Sequence, residues 1–323
     1  MKAEGKIFGL IGASGYIAPR HMKAIKETES ELVVAFDPYD GIGIMDSNFP
    51  KADFFTEFER FESFVDTWQR EQKNKIDYIA ITTPNYLHKH HIGFALRNDA
   101  NAICEKPLVL SPKDIDYLKE IERETGKKVY NILQLRLHDS IIALKDKIAK
   151  ELENNPDKIY NIDLTYLTSR GKWYFESWKG DENKSGGIAS NIGVHFFDML
   201  SWIFGENQEN IVHIKRPDVN AGYMKLKNAR VRWFLSVNYD YIPEDVRVSG
   251  KTKFRSITVD SEEFEFSEGF TDLHTTSYKH ILNNGGFGLE EARNSINIVS
   301  NIRSLSPVGL NGDYHPFCKK VKG

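Results

Sequence analysis

Two cysteines, Cys104 and Cys318, in 323 residues leave no material for a disulfide scaffold. Nor can they build a structural zinc site on their own. No apolar run approaches the ~20 residues needed to span a bilayer, and the apolar segment after residues 1–5 is too short for a signal peptide. Charge of one sign is missing as well: 43 basic residues face 46 acidic ones, for a net charge of −3. Without a basic field, strong non-specific attraction to nucleic acid or to an anionic membrane is not expected. Repeats and low-complexity segments are absent. What is there is a globular mix, 40% hydrophobic and 28% charged, which sets the chain apart from disordered ones. Its length suits about two domains of roughly 150 residues each. The expectation is a soluble, cytoplasmic, two-domain protein with neither a nucleic-acid nor a membrane partner.

The first part alternates β-rich runs with helical patterns, the signature of a parallel α/β sheet. Strands are expected at 6–12, 31–37, 77–83, 101–105 and 127–133, and helices at 18–28, 57–72, 86–97 and 112–125. Ser111-Pro112 is a helix start signal and Gly126 a stop. After Leu133 the rhythm changes. Helices are expected at 139–153 and 191–204, and strand-like runs at 159–167, 211–215, 222–226, 231–238, 246–248, 256–259 and 263–266. Two helices, 271–283 and 289–305, close the chain. Strands joined by short turns imply a mostly antiparallel sheet. The fold class is α/β: a Rossmann dinucleotide-binding domain at 1–133, then an α+β domain at 134–323 with a large open sheet. That sheet needs helices on one face, and its other face is expected to meet a partner copy in a homodimer or homotetramer.

The first strand runs into Gly12-Ala13-Ser14-Gly15-Tyr16-Ile17-Ala18, and a helix follows. Glycines there let the backbone approach a pyrophosphate, and the helix N-terminus offers amide donors. The spacing departs from G-x-G-x-x-G, with two residues in the first gap and Ala18 in the third small position; its placement after a strand supports it. Asp37 ends the second strand 22 residues after Gly15. A carboxylate there accepts bonds from ribose hydroxyls and repels a 2′-phosphate, and no arginine follows in Asp37-Pro38-Tyr39-Asp40. The cofactor expected is NAD.

Three further segments follow in order: Thr83-Pro84-Asn85-Tyr86-Leu87-His88, Glu105-Lys106-Pro107, and Gly186-Gly187 through Asn191 and His195 to Asp198. In this order and placement they resemble the Gfo/Idh/MocA family of NAD(P)-dependent sugar dehydrogenases over essentially the whole chain. Within it, the stretches GASGYIAPRH, PYDGIGIMDSNFP, EKPLVL and QLRLH resemble bacterial 3-dehydrogenases of UDP-N-acetylglucosaminuronate or UDP-N-acetylglucosamine. The resemblance implies oxidation of the C3 hydroxyl of a UDP-linked N-acetyl amino sugar to a 3-keto sugar. It further implies a place in precursor synthesis for surface polysaccharide, such as the lipopolysaccharide O-antigen or capsule, ahead of an aminotransferase. In some members NADH stays bound and is reoxidised by 2-oxoglutarate. A 3-dehydrogenase of UDP-N-acetylglucosamine, a dehydrogenase of a free sugar or inositol, and a non-catalytic NAD-sensing regulator stay open as alternatives; intact Lys106 and His195 speak against the last.

Lys106 follows the fourth expected strand, at the carboxyl edge where open α/β sheets bind ligands. Its ammonium can stabilise a developing alkoxide, and desolvation would let it act as base. Pro107 after it permits a cis peptide. His195 lies four residues after Asn191 on an expected helix, so both project from one face. Histidine suits acid–base work near neutrality. Many family members carry aspartate where Asn191 stands; an amide cannot exchange a proton at neutral pH, so Asn191 is expected to orient substrate or nicotinamide. Asp198 either orients the imidazole or faces solvent. Alongside Gly12, Ser14, Gly15, Tyr16, Ile17 and Asp37, the resemblance puts Thr83, Asn85, His88, Glu105 and Lys106 at the cofactor. Arg136, His138, Arg170, Trp173 and Lys179 join Asn191 and His195 as candidate substrate contacts, since cations beside aromatics suit a diphosphate, a carboxylate and a uracil ring. A solvated basic rim and tryptophans serving only the core would give the same pattern. The histidines at 88, 90 and 91 lack nearby Cys, Asp or Glu partners in sequence, so no metal is expected.

Overall fold

A computed structural model describes residues 5–264 and 272–321. They cluster into two compact units, one within Met1–Leu137 and Gly269–Arg293, the other within His138–Glu268 and Asn294–Gly323. The sequence places the boundary after residue 133. In the structure the first unit runs four residues further and takes back a later segment.

The first unit opens with β1 (Ile7–Ile11), α1 (Ala18–Glu27), β2 (Glu31–Phe36), α2 (Ile42–Asn48), β3 (Asp53–Phe55), α3 (Phe58–Glu71) and β4 (Tyr78–Ile81). There follow α4 (His88–Arg97), β5 (Asn101–Cys104), α5 (Pro112–Thr125) and β6 (Val129–Asn131). All six strands pair in parallel in the order β3-β2-β1-β4-β5-β6. Their apolar, β-branched interiors suit burial on both faces, as in Phe8, Leu10, Ile79 and Ile103, each 0% exposed. Chain order reverses direction in the sheet between β1 and β4, the topological switch point where such sheets bind ligands. Because the strands are parallel, Gly12, Asp37, Thr82, Thr83 and Glu105 all lie at one edge. Pro112 starts α5, and Gly126 ends it at φ 71°, a left-handed stop that suits glycine.

The second unit contains α6 (Asp139–Asn154), β7 (Tyr160–Thr168), α7 (Trp173–Glu176), α8 (Glu182–Ser185), α9 (Val194–Phe204), β8 (Asn207–Lys215), β9 (Val219–Leu226) and β10 (Ala229–Ser236). It goes on with α10 (Glu244–Val248), β11 (Lys253–Val259) and β12 (Glu262–Glu263). The sheet order is β12-β11-β7-β10-β9-β8; β7 and β10 run parallel and the other pairs antiparallel. Phe197 of α9 packs edge-on against Trp233, and Phe204 against Tyr160, so α9 covers the face that carries Val231, Trp233 and Leu235. Part of the opposite face is covered by the chain itself. Leu167, Val219, Ala221 and Phe234 form a core with Ile242, Cys318 and Phe317. The rest of that face carries polar groups such as the Arg232–Asp163 ion pair, with Tyr223 and Ile211 beside them.

The run 246–248 is helical and not a strand. Pro243 precedes it, and Glu244 and Asp245 in the first turn favour the positive end of a helix. The run 263–266 extends past the described residues. After the gap, α11 (Leu273–Leu282) belongs to the first unit, where Tyr278 and Ile281 join the core of Phe8, Met22 and Ile103. The last long helix is α12 (Leu289–Ser304). Among the described residues no helix is long and apolar enough to cross a membrane.

Candidate active site

In the first unit, Gly12 sits at φ 97°, and a Cβ there would lie 2.9 Å from the Thr82 carbonyl carbon and from the Thr83 nitrogen. Only glycine fits, and the turn hugs the end of β4. The Gly12 and Ala13 N–H groups donate to the Phe36 carbonyl, which joins the turn to β2. Asp37 is buried, and its two oxygens accept the Ser14 and Tyr39 N–H groups, each at 3.0 Å. Each oxygen keeps a free lone pair for a hydroxyl. Tyr16 and Tyr39 stand out in solvent, 79% and 76% exposed. Ser14 and Ile17 are half-buried between them in the turn. This bare backbone cradle at the switch point, with an acid at the end of β2, fits the diphosphate and ribose of a dinucleotide.

Beyond β4 and β5 the edge is rigidly built. Thr83 and Asn85 are buried, and the Thr83 hydroxyl pairs with His91 Nδ1 at 3.0 Å. His88 is 0% exposed, with Nδ1 2.8 Å from the Pro107 carbonyl and Nε2 2.9 Å from that of Thr83. Both ring nitrogens therefore face backbone carbonyls, one of which accepts the single N–H of the neutral ring, and His88 shapes the loops around a cofactor. The Lys106-Pro107 peptide is cis. Lys106 is half-buried, and its N–H donates to Glu105 Oε2 at 3.1 Å. Glu105 is buried, and its Oε1 accepts from His21 and His274, at 3.0 and 2.8 Å. The carboxylate thus supports the strand end; it does not point its oxygens at a ligand. Arg136 is buried too, donating to the Glu291 carbonyl and lying over the Phe287 ring. Cys104 is fully buried, and burial pushes its thiol well above its ordinary pKa, so it is no nucleophile.

In the second unit, residues 189–193 form one π-helical turn that leads into α9. Such turns recur at functional sites because the extra residue re-aims side chains. From 188 to 201 every residue is buried except Asn191 and His195, which are half-buried. The sequence spacing is realised: between 188 and 201 those two side chains alone reach solvent. Asn191 Nδ2 donates to the Tyr174 hydroxyl at 3.0 Å, which fixes the plane of the amide. Asp198 is 2% exposed, so the solvent-facing alternative is excluded. His138 is buried and Arg170 exposed. Burial and the charge of Arg170 both hold the Lys179 pKa below its ordinary value. Two cations repelling one another, with no carboxylate in ion-pair range of either among the described residues, invite an anion. Trp173 stands 83% exposed beside them in sequence. Tyr174 stays a neutral phenol: burial raises its pKa, outweighing the Asn191 bond and Arg170.

The model of an oxidoreductase family with an NAD-binding Rossmann fold matches residues 6–132. A second, for the C-terminal alpha/beta domain of that family, matches 153–249. The WlbA (WbpB) dehydrogenase from Thermus thermophilus, solved in complex with NAD and UDP-GlcNAcA, is 50% identical, with a TM-score of 0.91 over 97% of this chain and 99% of that one. The chain belongs to the Gfo/Idh/MocA oxidoreductase family. A second structure of the Thermus dehydrogenase, with NAD and alpha-ketoglutarate, gives a TM-score of 0.92 at the same 50% identity, over 97% of this chain and 99% of that one. Glucose-6-phosphate 3-dehydrogenase of Bacillus subtilis (strain 168) is 25% identical over 211 residues, 62% of this chain and 54% of its own length. The matches to the first three curated relatives span between 32% and 54% of their lengths.

Membership in the Gfo/Idh/MocA family gives a frame for what sequence reasoning missed. His21, His274 and Tyr278 around Glu105, and Tyr174 beside Asn191, escaped notice. His21 lies within GASGYIAPRH, but nothing local in the sequence shows that it faces Glu105, 84 residues on.

Proposed function

We propose that this chain is an NAD-dependent 3-dehydrogenase of a UDP-linked N-acetyl amino sugar, UDP-N-acetyl-D-glucosaminuronate before UDP-N-acetylglucosamine. The observation that carries the reading is 50% identity, over nearly the full length of both chains, to a dehydrogenase solved with NAD and UDP-GlcNAcA. NAD, when bound, supplies the hydride acceptor. Gly12, Ser14, Gly15 and Ile17 frame its diphosphate, Asp37 accepts from the adenine ribose, and Tyr16 and Tyr39 offer ring faces. Thr83 and Asn85 line the nicotinamide side.

In the reaction, Lys106 donates a hydrogen bond to the C3 hydroxyl and stabilises the alkoxide as it forms. His195 takes the hydroxyl proton. Asn191, held by Tyr174, accepts from the sugar through Oδ1 and moves no proton. Arg170 and Lys179 face the diphosphate or the uronate, with Arg136 and His138 as further contacts, and Trp173 stacks on the uracil. No metal takes part.

The likeness to a structure holding NAD and alpha-ketoglutarate supports reoxidation of NADH by 2-oxoglutarate. We place the enzyme in the cytoplasm, in surface polysaccharide precursor synthesis, as a homodimer or homotetramer. Sedimentation as a monomer at micromolar concentration would remove the assembly. A thermal-shift panel of UDP-sugars, free sugars and inositol tests the substrate class; stabilisation by UDP-GlcNAcA is expected, and stabilisation by inositol alone would replace it.

A further inference from the structure

The buried polar cluster behind Lys106 has a definite protonation pattern. Glu105 Oε1 sits 3.0 Å from His21 Nε2 and 2.8 Å from His274 Nε2, and Tyr278 Oη sits 2.8 Å from His21 Nδ1. A carboxylate only accepts, so both Nε2 atoms carry hydrogen. Burial first of all holds the His21 pKa below its ordinary value, so its ring is neutral and Nδ1 accepts from the Tyr278 hydroxyl. Burial alone would raise the Glu105 pKa, but the bonds from His21 and His274 more than cancel this and keep it well below the carboxylate range. His21, Tyr278 and Glu105 are at most 6% exposed, and His274 is 5% exposed. The other carboxylate oxygen accepts the Lys106 N–H. Every polar atom of Glu105 is thus engaged, and the chain of bonds joins α1, the end of β5 and α11. Three ligand-type atoms gathered this way also suit a metal ion in principle. The hydrogen-bond pattern accounts for the geometry without one.

We propose that His21 and His274 are positioning residues for Lys106: they fix the Glu105 carboxylate, which anchors the Lys106 backbone N–H and so aims its side chain from the sheet edge. The inference rests on the proposed dehydrogenase reading for its kinetic arm only. Other titratable or charged groups near this site are Cys104 on β5, His88 on α4, Arg20 on α1 and Tyr278 on α11.

The test uses the full chain with His274→Leu and His21→Leu, which remove a donor, and His274→Gln, which replaces it with an amide donor. Amide hydrogen exchange of the NAD-free protein should quicken at Lys106 by more than about tenfold in the Leu variants, while Ala102 and Ile103 of β5 stay protected. Turnover of UDP-GlcNAcA should fall about 10- to 100-fold in kcat, as expected for a displaced catalytic group, with NAD affinity unchanged. The kcat profile should also gain an acid limb, because Glu105 loses a bond that keeps it ionised. His274→Gln should restore both. Unchanged exchange and kcat in the Leu variants would overturn the proposal, as would loss of protection throughout β5, which marks a merely structural role. Stoichiometric zinc in the purified protein would overturn it too, by making the nitrogens ligands. If the unaltered protein fails to oxidise the sugar, the dehydrogenase reading falls while the exchange arm still decides the positioning.

Discussion

The backbone N–H of Ser14 donates to the Asp37 carboxylate at 3.0 Å, so the acid proposed to read the ribose also fastens the glycine-rich turn to the end of β2. The Tyr39 N–H holds the other oxygen. Asp37 therefore has two duties, and its removal should show both.

NAD(H) should bind in preference to NADP(H), since the 2′-phosphate would meet a fixed carboxylate. Asp37→Ala should narrow the gap between the cofactors. It should also weaken NAD itself, because the Ser14 and Tyr39 N–H groups lose the acceptor that holds the turn, a net loss of about 0.5–1.5 kcal/mol for each bond. Calorimetric titration of both cofactors checks this. Equal binding of the two by the unaltered protein would show that Asp37 does not face the ribose.

Much of the first unit is legible in the sequence because parallel strands read as continuous, β-branched apolar runs, bounded by turn signals and shorter than ordinary helices. The short β3 and the glycine-bearing α2 are not, since three and seven residues carry too little periodicity. That Asn191 and His195 share one face is legible from their spacing, while their candidate role comes from the family resemblance of the motif around them. The π-turn before α9 is not legible; within it Gly193 lies so close to Leu235 and Phe197 that a Cβ would clash, a contact no local pattern reveals. His274 lies 169 residues from Glu105, and no local pattern announces such a pairing. Nor could strand propensity foresee that the C-terminal segment covers part of the open sheet, since that contact is purely tertiary.

Acid should destabilise the fold through its neutral buried histidines. Burial chiefly holds His91 at about 3 and His315 at about 4. Their folded pKa values lie below the unfolded value near 6.5, so the unfolded chain binds more protons in between. Stability should thus fall as pH drops from about 6.5 towards 4, by up to about 1.4 kcal/mol per pH unit for each such histidine. His315 Nδ1 accepts the Phe317 N–H, which asparagine Oδ1 can also do. His315→Asn should therefore flatten the fall of Tm with acid. An unchanged slope would show that His315 is not one of the groups responsible.

Arg170 and Lys179 should act together on an anion. Arg170→Ala should raise the Lys179 pKa towards its ordinary value, as read by its NMR titration. UDP should bind about tenfold more weakly for the loss of one charge-assisted bond, and with less sensitivity to salt. Unaltered UDP affinity would move the diphosphate elsewhere.

Tyr174→Phe should release the Asn191 amide without touching NAD binding. KM for the sugar should rise by about fivefold, with a smaller effect on kcat, because one neutral hydrogen bond of about 1 kcal/mol is lost. A fall in kcat alone would instead put Tyr174 in the proton transfer.

The most direct test is single-turnover formation of NADH, followed by its near-ultraviolet absorbance, with UDP-N-acetyl-D-glucosaminuronate and then UDP-N-acetylglucosamine. The unaltered protein should reduce bound NAD with the uronate. Lys106→Met and His195→Asn should each slow this by about 10²–10⁴ while NAD stays bound. The double variant should be barely slower than the poorer single one, since the two groups act as a unit. No NADH from either sugar, with NAD bound, would contradict the substrate assignment, and near-normal rates in either single variant would strike that residue from the mechanism.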